Sequence, residues 1–147
     1  MNEAIKNGKG ILLGIDFGDK RTGVAVSDMS RFLASARETV TVSGLNDCAE
    51  KMAAMAKNIG VSGIILGLPV NMDGSHGPRA EKCKYLGGVL EEMTGLPVDY
   101  CDERMTTMEA ARYLGEAGTF GKKRKKVIDA LSAQIILQNY LDKLKYQ

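Results

Sequence analysis

Long apolar runs are missing from this chain: no stretch is long enough to span a bilayer. The N-terminal MNEAIKNGKG also lacks the apolar segment of a signal peptide. A cytoplasmic location and no membrane partner are the expectation. Cysteine is scarce and odd in number. Cys48, Cys83 and Cys101 fit no zinc spacing and no disulfide framework, so reduced thiols are expected. Histidine occurs once, as His76 in a turn-rich loop, and reads as an exposed residue rather than a general base. No GxxxxGK[ST] loop is present, and GKGILLG precedes its strand rather than following it, so neither nucleotide-binding fingerprint is met. Repeats and a composition break are absent too, so the 147 residues form one domain, with an ordered core over about 10–144. The net charge of +2 does not itself point to nucleic acid.

What is present is an alternation of strands and helices. Ile11 to Ile15 is an apolar run with no polar alternation, as in a strand buried on both faces. TGVAVSD (22–28) and SARETVTV (35–42) follow as strands at meander spacing. Leu45 to Ile59 carries Cys48, Met52, Met55, Ala56 and Ile59 at helical spacing, and Gly60 stops it. SGIILGL (62–68) is a buried strand. Pro78 suits the first position of a helix running to about Thr94, ended by Gly95. PVDYC (97–101) is the fifth strand. Thr106 and Glu109 make a capping-box pattern. A last helix is expected from about Lys125 to Leu144, with Val127, Leu131, Ile135 and Leu141 near one face. Met52, Met55, Met93 and Met108 read as core. The order βββαβαβαα predicts an α/β fold with a mixed five-stranded sheet flanked by helices.

Three carboxylates fall where such a fold gathers ligands, beyond the carboxyl ends of parallel strands. Asp16 ends strand one, Glu103 follows strand five in DERMTT, and Asp129 lies early in the last helix between apolar or small neighbours. Brought together they would repel one another, and divalent cations remove that repulsion. Oxygen-only ligands select Mg²⁺ or Mn²⁺, and a pair of such ions supports in-line phosphoryl displacement. Each residue also has a structural alternative. Asp16 would serve as a turn cap, Glu103 as a partner of Arg104 or Arg112, and Asp129 as a complement to the helix dipole.

Basic residues cluster beside these acids. In GDKRTG, Gly18 and Gly23 are expected to allow a tight turn, with Lys20 and Arg21 near a phosphate. In GLPVNMDGSHGPRA, Asn71, Ser75 and Arg79 are candidate contacts to a nucleic-acid backbone, and Arg104 is another. The run KKRKK, Lys122, Lys123, Arg124, Lys125 and Lys126, opposes the helix dipole at the start of the last helix. That local cost favours a phosphate-binding role. Phe120 is placed to stack on a base.

DFGDKRTGVAVSD, GLPVNMDGS, DERMTT and KKVIDALSAQIILQNYL, in that order, resemble the YqgF/RuvX family across nearly the whole chain. The resemblance implies a ribonuclease H-like fold. It implies a metal-dependent nuclease, described either as maturing the 5′ end of pre-16S rRNA or as resolving Holliday junctions. The family's acidic positions fall on Asp16, Glu103 and Asp129. Met105, Ser132 and Gln134 depart from the usual residues and bear on packing. RNA is the favoured substrate, with structured DNA as the alternative. Two further rivals are a non-catalytic RNA-binding module and an actin-like ATPase, whose second lobe 147 residues do not supply. Both a monomer and a homodimer remain open.

Overall fold

A computed structural model of the chain describes residues 2–71, 73–102 and 121–145. The element order is α1 (Glu3–Asn7), β1 (Leu12–Asp16), β2 (Arg21–Ser27), β3 (Ala34–Thr41), α2 (Leu45–Ile59), β4 (Gly63–Leu68), α3 (Pro78–Thr94), β5 (Val98–Asp102) and α4 (Gly121–Lys145). The five strands form one sheet in the order β3-β2-β1-β4-β5. β1 pairs antiparallel with β2 and parallel with β4, and β4 pairs parallel with β5. The carboxyl ends of β1, β4 and β5 therefore collect at one edge.

Side-chain alternation gives the sheet two apolar faces. On one, Leu13, Ile15, Val24, Ile64 and Leu66 pack with Cys48 and Met52 of α2 and with Leu86 and Leu90 of α3. On the other, Leu12, Ala25, Ile65 and Cys101 pack with Ala133, Ile136, Leu137, Tyr140 and Leu141 of α4. The three cysteines are buried and not disulfide-bonded. α2 ends as its sequence demands: Gly60 has φ +81°, and its N–H returns to the Ala56 carbonyl at 2.9 Å.

Several expectations change. α4 starts at Gly121 rather than near Lys125, which places the basic run inside its first turns. Its buried stripe is Ala133, Ile136, Leu137, Tyr140 and Leu141, while Leu131 and Ile135 are only half-buried. Glycines of the sheet let this side of the helix approach closely. A Cβ at Gly14 would lie 2.8 Å from Leu137 Cβ, so α4 presses onto the backbone itself. Met93 is half exposed, at 50%, rather than core. The short helix α1 had no expectation attached. Asn2 caps it, accepting from the Ile5 N–H at 3.2 Å, and donates its own N–H to Asp99 Oδ2 at 2.8 Å. Glu103, Arg104, the Thr106/Glu109 cap, Met108 and Phe120 lie outside the described residues.

Candidate nuclease site

The site begins with the pleat of β1. Leu12 and Gly14 face α4, so Asp16, two residues further on, shares that face. Asp16 is the last residue of β1 and stands opposite Gly23 of β2. Gly23 is not part of the turn, as its sequence context suggested, but lies inside β2. A Cβ there would sit 1.9 Å from the Asp129 carbonyl oxygen, so only glycine admits this turn of α4. The sheet neighbour of Asp16 is thus the seat of the Asp129 backbone, and two residues 113 positions apart in sequence are brought to the same end of the sheet through Gly23.

Asp129 does not stand alone. Arg21, the first residue of β2, donates from Nε to Asp129 Oδ2 at 2.9 Å. The pair is open to water, with 36% of the Arg21 side chain and 22% of the Asp129 side chain exposed. Gly18 does make the tight turn, since a Cβ there would meet the Arg21 carbonyl oxygen at 2.2 Å. Lys20 is exposed on that turn. One α-helical turn beyond Asp129, Ser132 is buried at 2% exposure, and its hydroxyl has no hydrogen-bond partner among the described residues.

A second set of cations closes the site from the other layer. Arg79, in the first turn of α3, donates from Nη2 to the Phe17 carbonyl at 2.8 Å. Its Nη1 lies 3.8 Å from Asp19 Oδ2, and Lys82 Nζ lies 3.4 Å from Asp19 Oδ1. Lys82 and Asp19 were not singled out by sequence reasoning; Lys82 lies one turn after Arg79, the signal that was available. The loop before α3 is tied to itself. Asn71 Nδ2 donates to Ser75 Oγ at 3.0 Å, and Ser75 donates from N and Oγ to Asp73 Oδ1 at 2.9 and 2.6 Å. The Ser75 hydroxyl, then its amide, holds the Asp73 carboxyl below its usual range. Asn71 and Ser75 are exposed here, beside an acid that works against an anion. His76 is exposed, as expected.

A cavity of about 550 Å³, lined by Ala53, Ala56, Val61, Met93 and Leu96 among others, lies between α2 and the end of α3. It is on the opposite face of the sheet from Asp16 and Asp129 and has no part in their chemistry. Lys122 to Lys126 occupy the early turns of α4, upstream of Asp129. Among the described residues no cluster of three potential metal ligands occurs.

The family model of RuvX, described as Holliday junction resolvase, matches residues 10–143. The chain belongs to the RuvX family. RuvX relatives named pre-16S rRNA nuclease include one from Limosilactobacillus fermentum, 47% identical over 134 residues, covering 89% of this chain and 92% of that protein. Another, from Ligilactobacillus salivarius, is 48% identical over 140 residues and covers 90% and 92%. Two solved structures share the fold at low identity. The Thermus thermophilus RuvC in complex with a Holliday junction substrate has a TM-score of 0.61 at 12% identity, covering 94% of this chain and 97% of that one. The fowlpox virus resolvase with Holliday junction DNA also has 0.61, at 13% identity, covering 91% and 98%. The RuvX fold is thus the ribonuclease H-like one, with a single mixed sheet between helices.

Of the three departures from the RuvX pattern, Met105 lies outside the described residues, and the other two differ in consequence. Gln134 is used: its Nε2 donates to the Ala34 carbonyl at 3.2 Å and ties α4 to β3. Ser132 puts an unpaired hydroxyl one turn from Asp129. No helix among the described residues is long and apolar enough to cross a membrane.

Proposed function

We propose that this chain is a phosphodiester-hydrolysing nuclease acting on the 5′ end of pre-16S rRNA, with Asp16, Glu103 and Asp129 as its catalytic carboxylates. The observation that carries this reading is the seating of Asp129 on Gly23, opposite Asp16. Glu103 is the next residue in sequence of the same parity as Asp99 and Cys101, the α4-facing residues of β5. The donor set fits a hard cation. It is built of carboxylate oxygens, one of them already neutralised by a guanidinium, with the unpartnered Ser132 hydroxyl one turn away. Asp16, Glu103 and Asp129 would hold Mg²⁺ or Mn²⁺, as a pair, and such ions supply Lewis acidity at the phosphoryl group.

The protein's own groups do the rest. Arg79, fixed on the Phe17 carbonyl, sets a positive charge one residue from Asp16. Arg21, Lys20 and Arg104 add donors for the backbone on either side, and Lys122 to Lys126 extend the basic track along α4. Asn71 and Ser75, tied to each other and to Asp73, would add only neutral donors. The cations grip phosphates without reading sequence.

The experiment is cleavage of a precursor-end RNA by the purified chain with Mg²⁺ or Mn²⁺, beside Asp16→Asn, Glu103→Gln and Asp129→Asn. Each substitution removes a charge that has to face the transition state, so a loss of about 10²-fold or more is expected. Full activity in Asp16→Asn, or turnover in excess EDTA, overturns the assignment. A four-way DNA junction at equal concentration tests the second reading, favoured by the family description. Symmetric paired nicks in the junction, with the RNA intact, would select it.

A further inference from the structure

Arg21 has two uses that exclude each other. Its Nε is bonded to Asp129 Oδ2 at 2.9 Å, on the carboxylate assigned to a divalent cation. A guanidinium does not lose its proton in a protein, so it cannot become neutral in place. A cation arriving at Oδ2 therefore meets a fixed positive charge already there. Either the cation binds weakly or Arg21 leaves. The pair is solvent-open, and ion pairs of this kind exchange at little cost.

Where Arg21 would go is set by its position. It starts β2, directly after the turn that carries Lys20, while Arg79 is anchored on Phe17 of the same turn. Its planar fork of donors matches a phosphodiester's two non-bridging oxygens. We propose that Arg21 is exchanged. It neutralises Asp129 in the cation-free protein and moves to a substrate phosphate when the divalent cation binds, so cation and nucleic acid bind cooperatively through one side chain. This rests on reading Asp129 as a metal ligand and nucleic acid as the substrate. By reciprocity, nucleic acid that captures Arg21 frees Asp129 and tightens cation binding by the same factor. The competing account is a fixed clamp, in which Arg21 holds α4 on β2 in every state.

The test is Mn²⁺ binding to the full chain without nucleic acid, by calorimetry, for the parent, Arg21→Ala, Arg21→Gln, Lys20→Ala and Asp129→Asn. Removing the competing cation should tighten Mn²⁺ binding about two- to fivefold in both Arg21 variants, the scale of an exposed ion pair. Lys20→Ala, which removes equal charge without touching Asp129, should change it less. Anisotropy of a labelled single-stranded RNA gives the second readout. At constant ionic strength, replacing EDTA by Ca²⁺ should steepen the parent's salt slope by about 0.7, the increment for one more neutralised single-strand phosphate. In Arg21→Ala that increment should vanish. Unchanged or weaker Mn²⁺ binding in both Arg21 variants, with melting temperatures kept, overturns the exchange and leaves the clamp. Unchanged Mn²⁺ binding in Asp129→Asn instead overturns the metal-ligand reading beneath it.

Discussion

Gly23 shows how much of a site can depend on an atom that is not there. Its missing Cβ is the space in which the Asp129 carbonyl sits. Gly23→Ala has to push α4 away from β2, and overpacking of this kind costs about 1–3 kcal/mol. The expected result is a lower melting temperature together with weaker Mn²⁺ binding, because the two carboxylates separate. Gly88→Ala is the counterpart. Gly88 is exposed on α3 with nothing within 4 Å of a built Cβ, so alanine should add about 0.5–1 kcal/mol of stability and leave Mn²⁺ binding unchanged. Thermal melts and calorimetry on the two variants check both. The positions of Asp16 at the end of β1 and of Asp129 in the last helix were legible in the sequence, and both drew notice because a carboxylate at the end of a buried strand, or within an apolar helical stretch, needs a reason to be there. The role of Gly23 and the Arg21–Asp129 bond were not, since each joins positions more than a hundred residues apart, which local spacing does not encode.

At the level of elements, α1 and α4 are joined through one carboxylate of β5. Tyr140, buried on α4, donates its hydroxyl to Asp99 Oδ2 at 2.7 Å, and the Asn2 N–H donates to the same oxygen at 2.8 Å. Burial, and then the Asp99 hydrogen bond, push the Tyr140 hydroxyl well above the ordinary tyrosine range. The unfolded chain ionises this tyrosine near pH ~10 while the folded one keeps the proton. Above that pH the unfolded state binds fewer protons, so the contribution is complete below it and falls as pH rises. Tyr140→Phe should cost about 1–3 kcal/mol at pH 7.5 and lose less stability than the parent between pH 9 and 11. Denaturant melts at the two ends of that range decide it, and parallel losses would remove Tyr140 as the source. The boundaries of α2, α3 and the strands were readable from apolar period, Gly and Pro, within a residue or two. α1 was not, because five residues are too few to show a period and the helix rests on Asp99 for support. The face of α4 was partly misjudged, because Leu131 and Ile135 are as apolar as the buried Ile136 and Leu137, and the close approach at Gly14 and Gly23 that selects one side is not visible in the helix's own sequence.

For the whole molecule, charge matters by placement. A net +2 is almost neutral, yet Arg21, Arg79 and Lys82 lie around the turn that follows β1, and the KKRKK run falls in the same helix as Asp129. Replacing Lys122, Lys123 and Lys125 by Ala should weaken RNA binding evenly across sequences and lower the salt slope by about 0.7 for each phosphate no longer neutralised. Anisotropy titrations from low to moderate salt measure this, and an unchanged slope would make the run a solvated face. The fold was legible because β1 and β4 are unbroken apolar runs that need cover on both faces, as a layered α/β sheet provides. The family resemblance, four ordered motifs long, then supplied what spacing does not, the family itself, which the match over residues 10–143 bears out.

Because α4 is a single helix from Gly121 to Lys145, its basic run and its carboxylate sit on one rigid element. Lys126 precedes Asp129 by three residues and Lys122 by seven, about 4.5 and 10.5 Å of helix rise. If the basic run holds the strand and Asp129 serves the cut, as proposed, grip and cut are marked on one graduated rod, and the cut should fall at a set distance from the hold. Four alanines inserted between Lys126 and Val127 lengthen the rod by about 6 Å and nearly restore its phase, whereas one alanine turns the grip by about 100°. Mapped by primer extension, the longer insertion should move the cut along the RNA, and the shorter one should chiefly loosen the hold.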